Sequence, residues 1–243
     1  MRINTDLISK CAQYLNALNQ YHIDMRGYKI PFIENLNATN DQFSTIDLTD
    51  NEIARLENLP GLLRLETLLL SNNRIAKVDP TYAEMCPKLE SLVLTNNKIS
   101  NFQEIDNIAT GSKGTLLRLS LVGNIVTNLP NYRMYTINKM PHLRVLDFQK
   151  VTQKEKQAAK KLFEDSSILG KQIIKEMQAR QQEIDESLRK EAKSSKNLIG
   201  IQDEAINHKI RELEEKILNA QSLDEIQVLE KQIKELEDQK ELQ

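Results

Sequence analysis

The chain of 243 residues has few cysteines, only 5% aromatic residues and no long apolar run. A membrane-spanning helix needs about 18 to 20 consecutive apolar residues, and no segment here reaches that length. The N-terminal MRINTDLISK also lacks the hydrophobic centre of a signal peptide. Cys11 and Cys86 stand alone, without C-x-x-C spacing or a nearby histidine. We interpret them as small buried residues of a protein in a reducing compartment.

Signatures of catalysis and of tight nucleic-acid binding are missing as well. The three histidines, His22, His142 and His208, are scattered, and no H-E-x-x-H, G-x-S-x-G or G-x-x-x-x-G-K motif occurs. The segment TGSKGT, 110–115, fits a lengthened loop better than a phosphate site. The formal net charge is only −2, and no basic run is interleaved with aromatic residues. We expect no enzyme, no cofactor, no metal site and no tight RNA binding by the chain alone.

One pattern does recur along the first two thirds of the chain. The spacing L-x-x-L-x-L-x-x-N-x-I begins at Leu65, Leu89 and Leu116, and a shorter copy covers 46–53. Weaker copies lie at 23–30 and at Leu143, Leu146, Phe148 and Val151. The asparagine positions of these six copies are residues 28, 51, 73, 97, 124 and 151, a spacing typical of leucine-rich repeats. Because one unit cannot bury its own apolar face, the pattern predicts an α/β solenoid of about six stacked leucine-rich repeats.

Four of the six positions hold asparagine, namely Asn51, Asn73, Asn97 and Asn124. A side-chain amide at this position can bond backbone groups of the turns above and below, which would otherwise be buried without partners. Tyr28 and Val151 take the two end positions, where a ladder needs a partner on one side only. The sequence therefore predicts a structural asparagine ladder.

Helical caps are expected at both ends, since terminal repeats expose an apolar cross-section. At the front, apolar residues at helical spacing predict one helix over 5–18, capped by Thr5 or Asp6, with Tyr14, Leu15 and Leu18 on its buried side. At the back we predict a helix that ends before Pro141, a last strand over 143–148 and a helix whose capping box is Thr152 with Glu155. Residues 1–165 are thus predicted as one capped domain.

The composition changes beyond residue 165. Residues 166–200 are polar and charged, and we predict a partly helical linker. Residues 201–243 carry two apolar stripes at helical spacing, which favour a C-terminal helical extension that could pair as a hairpin. Neither stripe is long enough for a sustained coiled coil. The extension is either a solvated charged pair of helices or a surface that docks a partner.

A second set of side chains follows from the alternation of strands. If Leu92 and Leu94 enter the core, Val93 lies on the opposite face of the sheet, which we call the concave face. The positions we predict for partner binding there are Asp47, Thr49, Leu69, Ser71, Val93, Thr95, Arg118, Ser120, Val122, Val145 and Asp147. We expect Leu69, Val93, Val122 and Val145 to align as an apolar strip with a polar rim. Such a strip is typical of a partner site and suits an amphipathic helix.

Three stretches carry a resemblance to a known family. They are similar to the A-prime family of the U2 small nuclear ribonucleoprotein, whose members are spliceosomal leucine-rich-repeat proteins. The stretches are RGYKIPFIENLNATNDQFSTIDLTDNEI (26–53), LTNNKI (94–99) and NYRMYTINKMPHLRVLDFQKV (131–151). The similarity covers residues 1–165. RGYKIP together with VLDFQKV is far more specific than the repeat pattern, which many families share.

The resemblance implies a non-catalytic scaffold of pre-mRNA splicing in the nucleus. It implies that the concave face holds a helix of an RNA-recognition-motif protein of B-double-prime type, with Asp47, Arg118 and Asp147 fixing its register. The heterodimer would bind a stem-loop of U2 small nuclear RNA. Basic positions of the family motifs are matched by the candidates for RNA contact, Arg26, Lys29 and Lys150. The C-terminal helices are a candidate surface for other spliceosomal proteins.

Two other functions are compatible with the repeats alone. A regulatory leucine-rich-repeat protein would hold a phosphatase or cytoskeletal subunit in the same groove, without dependence on RNA. A structural protein would self-associate through residues 196–243. Neither function explains RGYKIP together with VLDFQKV.

Overall fold

The computed structural model describes residues 1–17 and 19–163, and further along residues 172–176, 179–180, 182–183, 186–187, 209, 213, 231–232 and 234. The chain divides into two compact units, Met1–Gln181 and Gln182–Gln243. The predicted hairpin within 201–243 lies almost wholly outside the described residues, as does Leu18. The domain boundaries at 165 and 200 stay predictions.

Short strands and helices alternate along the first unit. The strands are β1 (Ala12–Leu15), β2 (Tyr21–Asp24), β3 (Thr45–Asp47), β4 (Arg55–Leu56), β5 (Thr67–Leu69), β6 (Lys77–Val78), β7 (Ser91–Val93), β8 (Arg118–Ser120), β9 (Val145–Leu146) and β10 (Gln149–Lys150). The α-helices are α1 (Thr5–Lys10), α2 (Phe102–Ser112), α3 (Tyr132–Lys139) and α4 (Gln153–Leu162). Single turns of 3₁₀ helix cover Leu36–Thr39, Tyr82–Glu84 and Ile125–Asn128.

In the described part of the chain, eight of these strands form one sheet in the order β1-β2-β3-β5-β7-β8-β9-β10. The strands from β2 to β9 run parallel, while β1 and β10 pair antiparallel at the two edges. The central residue of each parallel strand points inward and is buried, as at Ile46, Leu68, Leu92 and Leu119. The predicted α/β leucine-rich-repeat solenoid is confirmed, because every repeat adds one strand and returns over the apolar side.

The front of the chain differs from the prediction. Helix α1 covers only Thr5–Lys10, and its cap is Asn4, whose side chain accepts from the Leu7 amide at 2.8 Å. The next residues form β1 instead of continuing the helix, and Tyr14 and Leu15 are exposed. The single helix over 5–18 is therefore wrong. Pairing with β2 satisfies the backbone of that edge strand, and this tertiary gain overrides the local helical spacing.

At the other end, helix α3 ends before Pro141 as predicted, and the capping box of α4 is present. The predicted last strand over 143–148 is present only as the shorter β9, because the chain reverses after Leu146 into β10. Phe148 lies in the turn and is 71% exposed, although the repeat pattern placed it in the core. Arg133 of α3 holds this hairpin: it donates to the carbonyls of Leu146 and Lys150 and pairs with Glu155 of α4 at 2.9 Å.

The glycines of TGSKGT do not simply lengthen a loop. Gly111 lies within α2, where it packs against the ring of Tyr82, and Lys113 ends the helix in a left-handed conformation. The return segment of this repeat is thus a full helix, which begins at the cap Asn101. In the part of the chain that the structure describes, no helix combines the length and apolar character needed to span a membrane.

Candidate partner-binding site

The asparagine ladder holds the strands in register behind the concave face. Asn97, 4% exposed, accepts from the Ile75 amide at 2.9 Å and donates to the carbonyls of Leu70 and Leu94. The side chains of Asn51, Asn73 and Asn124 make the equivalent bonds. Each asparagine bonds its own strand and the preceding repeat. At the front end, Asn51 bonds Met25 and Ile30 of the first repeat, where Tyr28 takes the position of the ladder asparagine.

A second, outer ladder was not found from the sequence. The residue before each ladder asparagine has positive φ, and these residues are Asp50, Asn72, Asn96 and Gly123. The Asn96 amide donates to Asn72 at 2.9 Å, and the Asn72 amide donates to Asp50 at 2.7 Å. At Gly123 a β-carbon would overlap the Asn96 side chain. The signal was available, since aspartate, asparagine and glycine are the residues that tolerate the left-handed conformation.

The concave face consists of side chains in cross-strand rows. The first row holds Thr45, Thr67, Ser91, Arg118 and Val145, and the second row holds Asp47, Leu69, Val93 and Ser120. A third row follows the strand ends and consists of Thr49, Ser71, Thr95 and Val122. Backbone hydrogen bonds between neighbouring repeats continue through this row. The predicted surface residues up to Val145 therefore share one face.

The expected apolar strip is not a single row. Leu69 and Val93 are direct neighbours in the second row, and both are half-buried. The next residue in that row is Ser120, whereas Val122 belongs to the third row and Val145 to the first. Strand register decides which side chains are adjacent. Residues at the same position in successive motifs are therefore not always neighbours. The face thus has an apolar pair at its centre, with single valines displaced to either side.

Negative charge lies at the N-terminal side of the concave face. Asp24 and Asp47 are neighbours in register, and Arg26 lies against both, with Nε 2.9 Å from Asp24 Oδ1 and 3.6 Å from Asp47 Oδ2. The hydrogen bond from Arg26 holds the pKa of Asp24 below its usual range. Asp47 is 7% exposed and also accepts from the Thr49 amide. Arg26 is therefore occupied by two carboxylates and is a poorer candidate for a phosphate contact than its sequence position implies.

Positive charge lies at the C-terminal side. Arg118 is exposed in the first row, with a loose pairing of 3.8 Å to Glu90. Lys150 is opposite Val145 in the β9–β10 pair, so it extends the same row. Asp147, by contrast, is not a free charge of this face. It lies in the turn, where it accepts from the Leu121 amide at 2.7 Å and from the Tyr132 hydroxyl at 2.9 Å.

The three candidates for RNA contact are not brought together. Arg26 and Lys29 follow β2, while Lys150 lies in β10 at the opposite edge of the sheet. Six strand spacings separate β2 from β10, which is about 29 Å at about 4.8 Å per strand. Any phosphate contacts at the two edges are therefore separate contacts and not one basic site.

Sequence reasoning did not place Tyr14 on this face, at its N-terminal edge. Because β1 is a strand, Tyr14 lies opposite His22, and the two rings stack with centroids 4.7 Å apart. His22 in turn is opposite Thr45. Within the described residues, His22 Nε2 and Thr45 Oγ1 are buried without a hydrogen-bond partner. The first row thus begins with an aromatic pair and two unsatisfied polar atoms.

Comparison with known proteins identifies the family. The leucine-rich-repeat family profile matches residues 1–178. U2 small nuclear ribonucleoprotein A′ of Arabidopsis thaliana is 48% identical over 163 residues, which are 67% of this chain and 65% of that protein. The probable U2 small nuclear ribonucleoprotein A′ of Caenorhabditis elegans is 39% identical over 230 residues, 95% of this chain and 88% of that protein. The chain belongs to the U2 small nuclear ribonucleoprotein A′ family.

A solved structure supports the same assignment for this A′-family chain. One chain of the Drosophila melanogaster SNF/U2A′ complex matches with a TM-score of 0.69 and 44% identity, covering 72% of this chain and 99% of that one. The chain is thus a spliceosomal leucine-rich-repeat protein. The expectation that it is not an enzyme agrees with this family, which is named for a component of a particle and not for a reaction. Membership also favours splicing over the alternative of a phosphatase or cytoskeletal regulator.

Proposed function

We propose that the concave face binds one helix of an RNA-recognition-motif protein of SNF or B-double-prime type, and that this heterodimer binds a stem-loop of U2 small nuclear RNA in the nucleus. The chain acts as a rigid scaffold in pre-mRNA splicing and performs no reaction. The observation that carries the proposal is the match to the repeat chain of the SNF/U2A′ complex, a structure that contains both kinds of protein. The role of the C-terminal helices toward other spliceosomal proteins stays a prediction.

The shape of the concave face supports a helix as the bound element. Leu69 and Val93 form the central apolar pair, and hydroxyl residues occupy most neighbouring positions. Short side chains let an amphipathic helix lie close to the sheet, with its apolar residues on the central pair. The hydroxyls of Thr95 and Ser120 bond each other at 2.9 Å, so each already has one partner within the face.

The charges of the face support one orientation. Asp24 and Asp47 lie at one side, whereas Arg118 and Lys150 lie at the other. Complementary charges across an interface fix register and favour one of two directions. The docked helix is therefore expected to carry basic residues near Asp47 and acidic residues near Arg118. Asp147 is bonded within the chain, as Asp47 is, and stays a weaker candidate for this role.

Lys29 and Lys150 are the stronger candidates for RNA contact, Lys29 after β2 and Lys150 in the edge strand β10, and Arg26 is the weaker third. Both lysine side chains are exposed. One phosphate contact contributes about one unit to the salt dependence of RNA binding and does not depend on base sequence. Replacement of Lys150 by alanine in the heterodimer should therefore reduce the slope of log affinity against log salt by about one unit, while loop-sequence preference stays the same.

The experiment that tests the proposed function places a charge at the centre of the concave face. Val93→Asp buries a carboxylate under the docked helix, which we expect to weaken binding of the SNF-type protein of the same organism by several kcal/mol, about a hundredfold or more. The matched control is Leu63→Asp, which introduces the same charge at an apolar residue that is 58% exposed and lies outside the sheet. Both variants should remain folded, since neither side chain lies fully in the core.

RNA recovered with the chain from its own cells completes the test. Sequencing should show one dominant small nuclear RNA with the intact chain and with Leu63→Asp, and its loss with Val93→Asp. Recovery of the same RNA with all three would exclude the concave face as the partner site. Absence of RNA from all three would argue against a splicing scaffold.

A further inference from the structure

Phe148 combines two unfavourable features that the fold itself does not require. Its side chain is 71% exposed. Its φ is 62°, in the left-handed region that bulky residues rarely adopt. Among the described residues with positive φ, the others besides glycine are asparagine, aspartate or lysine, and Phe148 is the one aromatic residue. An unstrained glycine or asparagine would suit this position better.

The strain follows from the turn that contains it. Asp147 and Phe148 are the two residues between β9 and β10, and both have positive φ. Two-residue hairpin turns of this type favour Asn-Gly or Asp-Gly because both central residues are left-handed. The chain has aspartate at the first position, as expected, but phenylalanine where glycine is favoured.

Asp147 fixes this turn to the rest of the solenoid. Its carboxylate accepts from the Leu121 amide at the end of β8 and from the Tyr132 hydroxyl at the start of α3. Burial, and next the nearby carboxylate, raise the pKa of Tyr132, so the hydroxyl stays protonated and able to donate. Arg133 bonds the carbonyls of Leu146 and Lys150 on either side of the turn. The Phe148 ring is thus presented by a turn that is held at several points.

The turn lies beside β8, at the C-terminal side of the sheet. The Asp147 amide donates to Leu119 of β8, and Val122, which follows β8, is 39% exposed. Val122 and Phe148 therefore end two neighbouring strands as exposed apolar residues. An exposed aromatic residue in a turn whose backbone is held at several points has the character of an interface anchor, whose side chain fills a pocket of the partner.

We propose that Phe148 anchors the SNF-type partner by entering an apolar pocket on that protein beside the docked helix. The inference rests on the proposed function, since it assigns a second contact to the same partner. A protein pocket fits better than a nucleobase, because the exposed residue that follows the neighbouring strand β8, Val122, is also apolar. Phenylalanine at this position lowers the stability of the turn. Its contribution to partner binding offsets that loss.

The test uses the full chain with Phe148→Gly. Glycine adopts the left-handed conformation freely, so the melting temperature of the free chain should stay the same or rise. Affinity for the SNF-type protein should fall by at least about tenfold, as for truncation of an interface anchor. The matched control is Phe32→Ala, at a phenylalanine that is 42% exposed in the return segment of the first repeat, near Arg2. This variant should bind the partner like the original chain.

Three results separate the possible failures. If Val93→Asp abolishes partner binding but Phe148→Gly does not change it, the anchor is overturned and the proposed function stands. If Phe148→Gly leaves partner affinity unchanged but weakens binding of the heterodimer to a U2 stem-loop RNA, the ring contacts RNA and the proposal is also overturned. If the original chain does not bind the partner at all, the proposed function fails and the anchor with it.

Discussion

The side-chain amide of Asn97 donates to the backbone carbonyl of Leu70, one repeat earlier, at 2.8 Å. The same carbonyl accepts from Asn73, in the repeat of Leu70 itself, at 3.1 Å. A carbonyl oxygen has two lone pairs and can accept both bonds. Successive asparagines therefore share an acceptor, and the repeats are joined by a buried polar network in addition to their leucines.

Replacement of Asn97 by alanine should destabilise the solenoid strongly. The change removes the acceptor of the Ile75 amide and a donor to Leu70, both in the buried interior. Loss of partners for buried backbone groups should lower the free energy of unfolding by about 2 to 4 kcal/mol. Urea unfolding followed by circular dichroism measures this directly. The control is Asn96→Gly, which keeps the left-handed conformation and removes only an exposed bond to Asn72, so its effect should be small. An equal loss in both variants would contradict a special role of the inner ladder.

Gly111→Ala should destabilise the chain, although alanine is the better helix former. Gly111 lies within α2, where this exchange normally stabilises by about 1 kcal/mol. Here the added β-carbon would overlap the ring of Tyr82, which is 2% exposed and donates its hydroxyl to the Ile108 carbonyl. We expect a net loss of about 1 to 3 kcal/mol from overpacking, seen as a lower melting temperature. At Gly61 no atom lies within 4 Å of an added β-carbon, so Gly61→Ala should be close to neutral. A gain in stability at Gly111 would show that Tyr82 can move aside.

Thr45→Val should stabilise the free chain. Within the described residues the Thr45 hydroxyl is buried without a hydrogen-bond partner, and valine keeps its shape in the strand. Removal of an unsatisfied buried hydroxyl should raise the free energy of unfolding by about 1 kcal/mol. The matched exchange Thr136→Val removes a buried hydroxyl that bonds the Tyr132 carbonyl at 2.9 Å, and it should act in the opposite direction. Denaturation midpoints of the two variants measure the difference. A loss of stability in Thr45→Val would indicate a water bonded to that hydroxyl.

The pairing of Glu155 with Arg133 should make stability depend on pH in the acid range. The Arg133 side chain first, and then the Thr152 amide, lower the pKa of Glu155 from 4.5 to about 2. Since the folded pKa is below the unfolded value, the contribution of the carboxylate is fully present above pH 4.5 and is lost as the pH falls toward 2. The difference in melting temperature between the original chain and Glu155→Gln should therefore be largest near neutral pH and should shrink below pH 4.5. A difference that does not change with pH would show that the carboxylate charge contributes nothing.

The repeats could be predicted well because their signal is redundant. Leu68, Leu92 and Leu119 occupy the same position in successive copies, and a periodic set of buried residues fixes both strand and face. The ends of the solenoid have no such redundancy. Tyr14 fits a helical stripe as well as it fits an edge strand, and only the unpaired edge of β2 decides between them. Phe148 likewise fits the last copy of the motif until Asp147 bonds Leu121 and directs the chain into a turn.

Some features of the concave face could be predicted from the sequence, and others could not. The alternation of strand residues predicted that Leu69 and Val93 lie outside the core, which the backbone pattern determines locally. Their adjacency, and the separation of Val122 and Val145 from them, depend on cross-strand register. The contact of Arg26 with Asp47 likewise depends on which strands are neighbours, whereas its bond to Asp24 is local.

By itself the sequence determined the repeat, its period, the inner asparagines and the face of each strand, because these follow from spacing along the chain. Only the tertiary structure decided the edge strand β1, the turn that exposes Phe148 and the contact of Arg26 with Asp47, because these depend on contacts between elements that spacing along the chain does not specify. Spacing specifies what each repeat buries, and register between repeats specifies which side chains meet on the surface that a partner would contact.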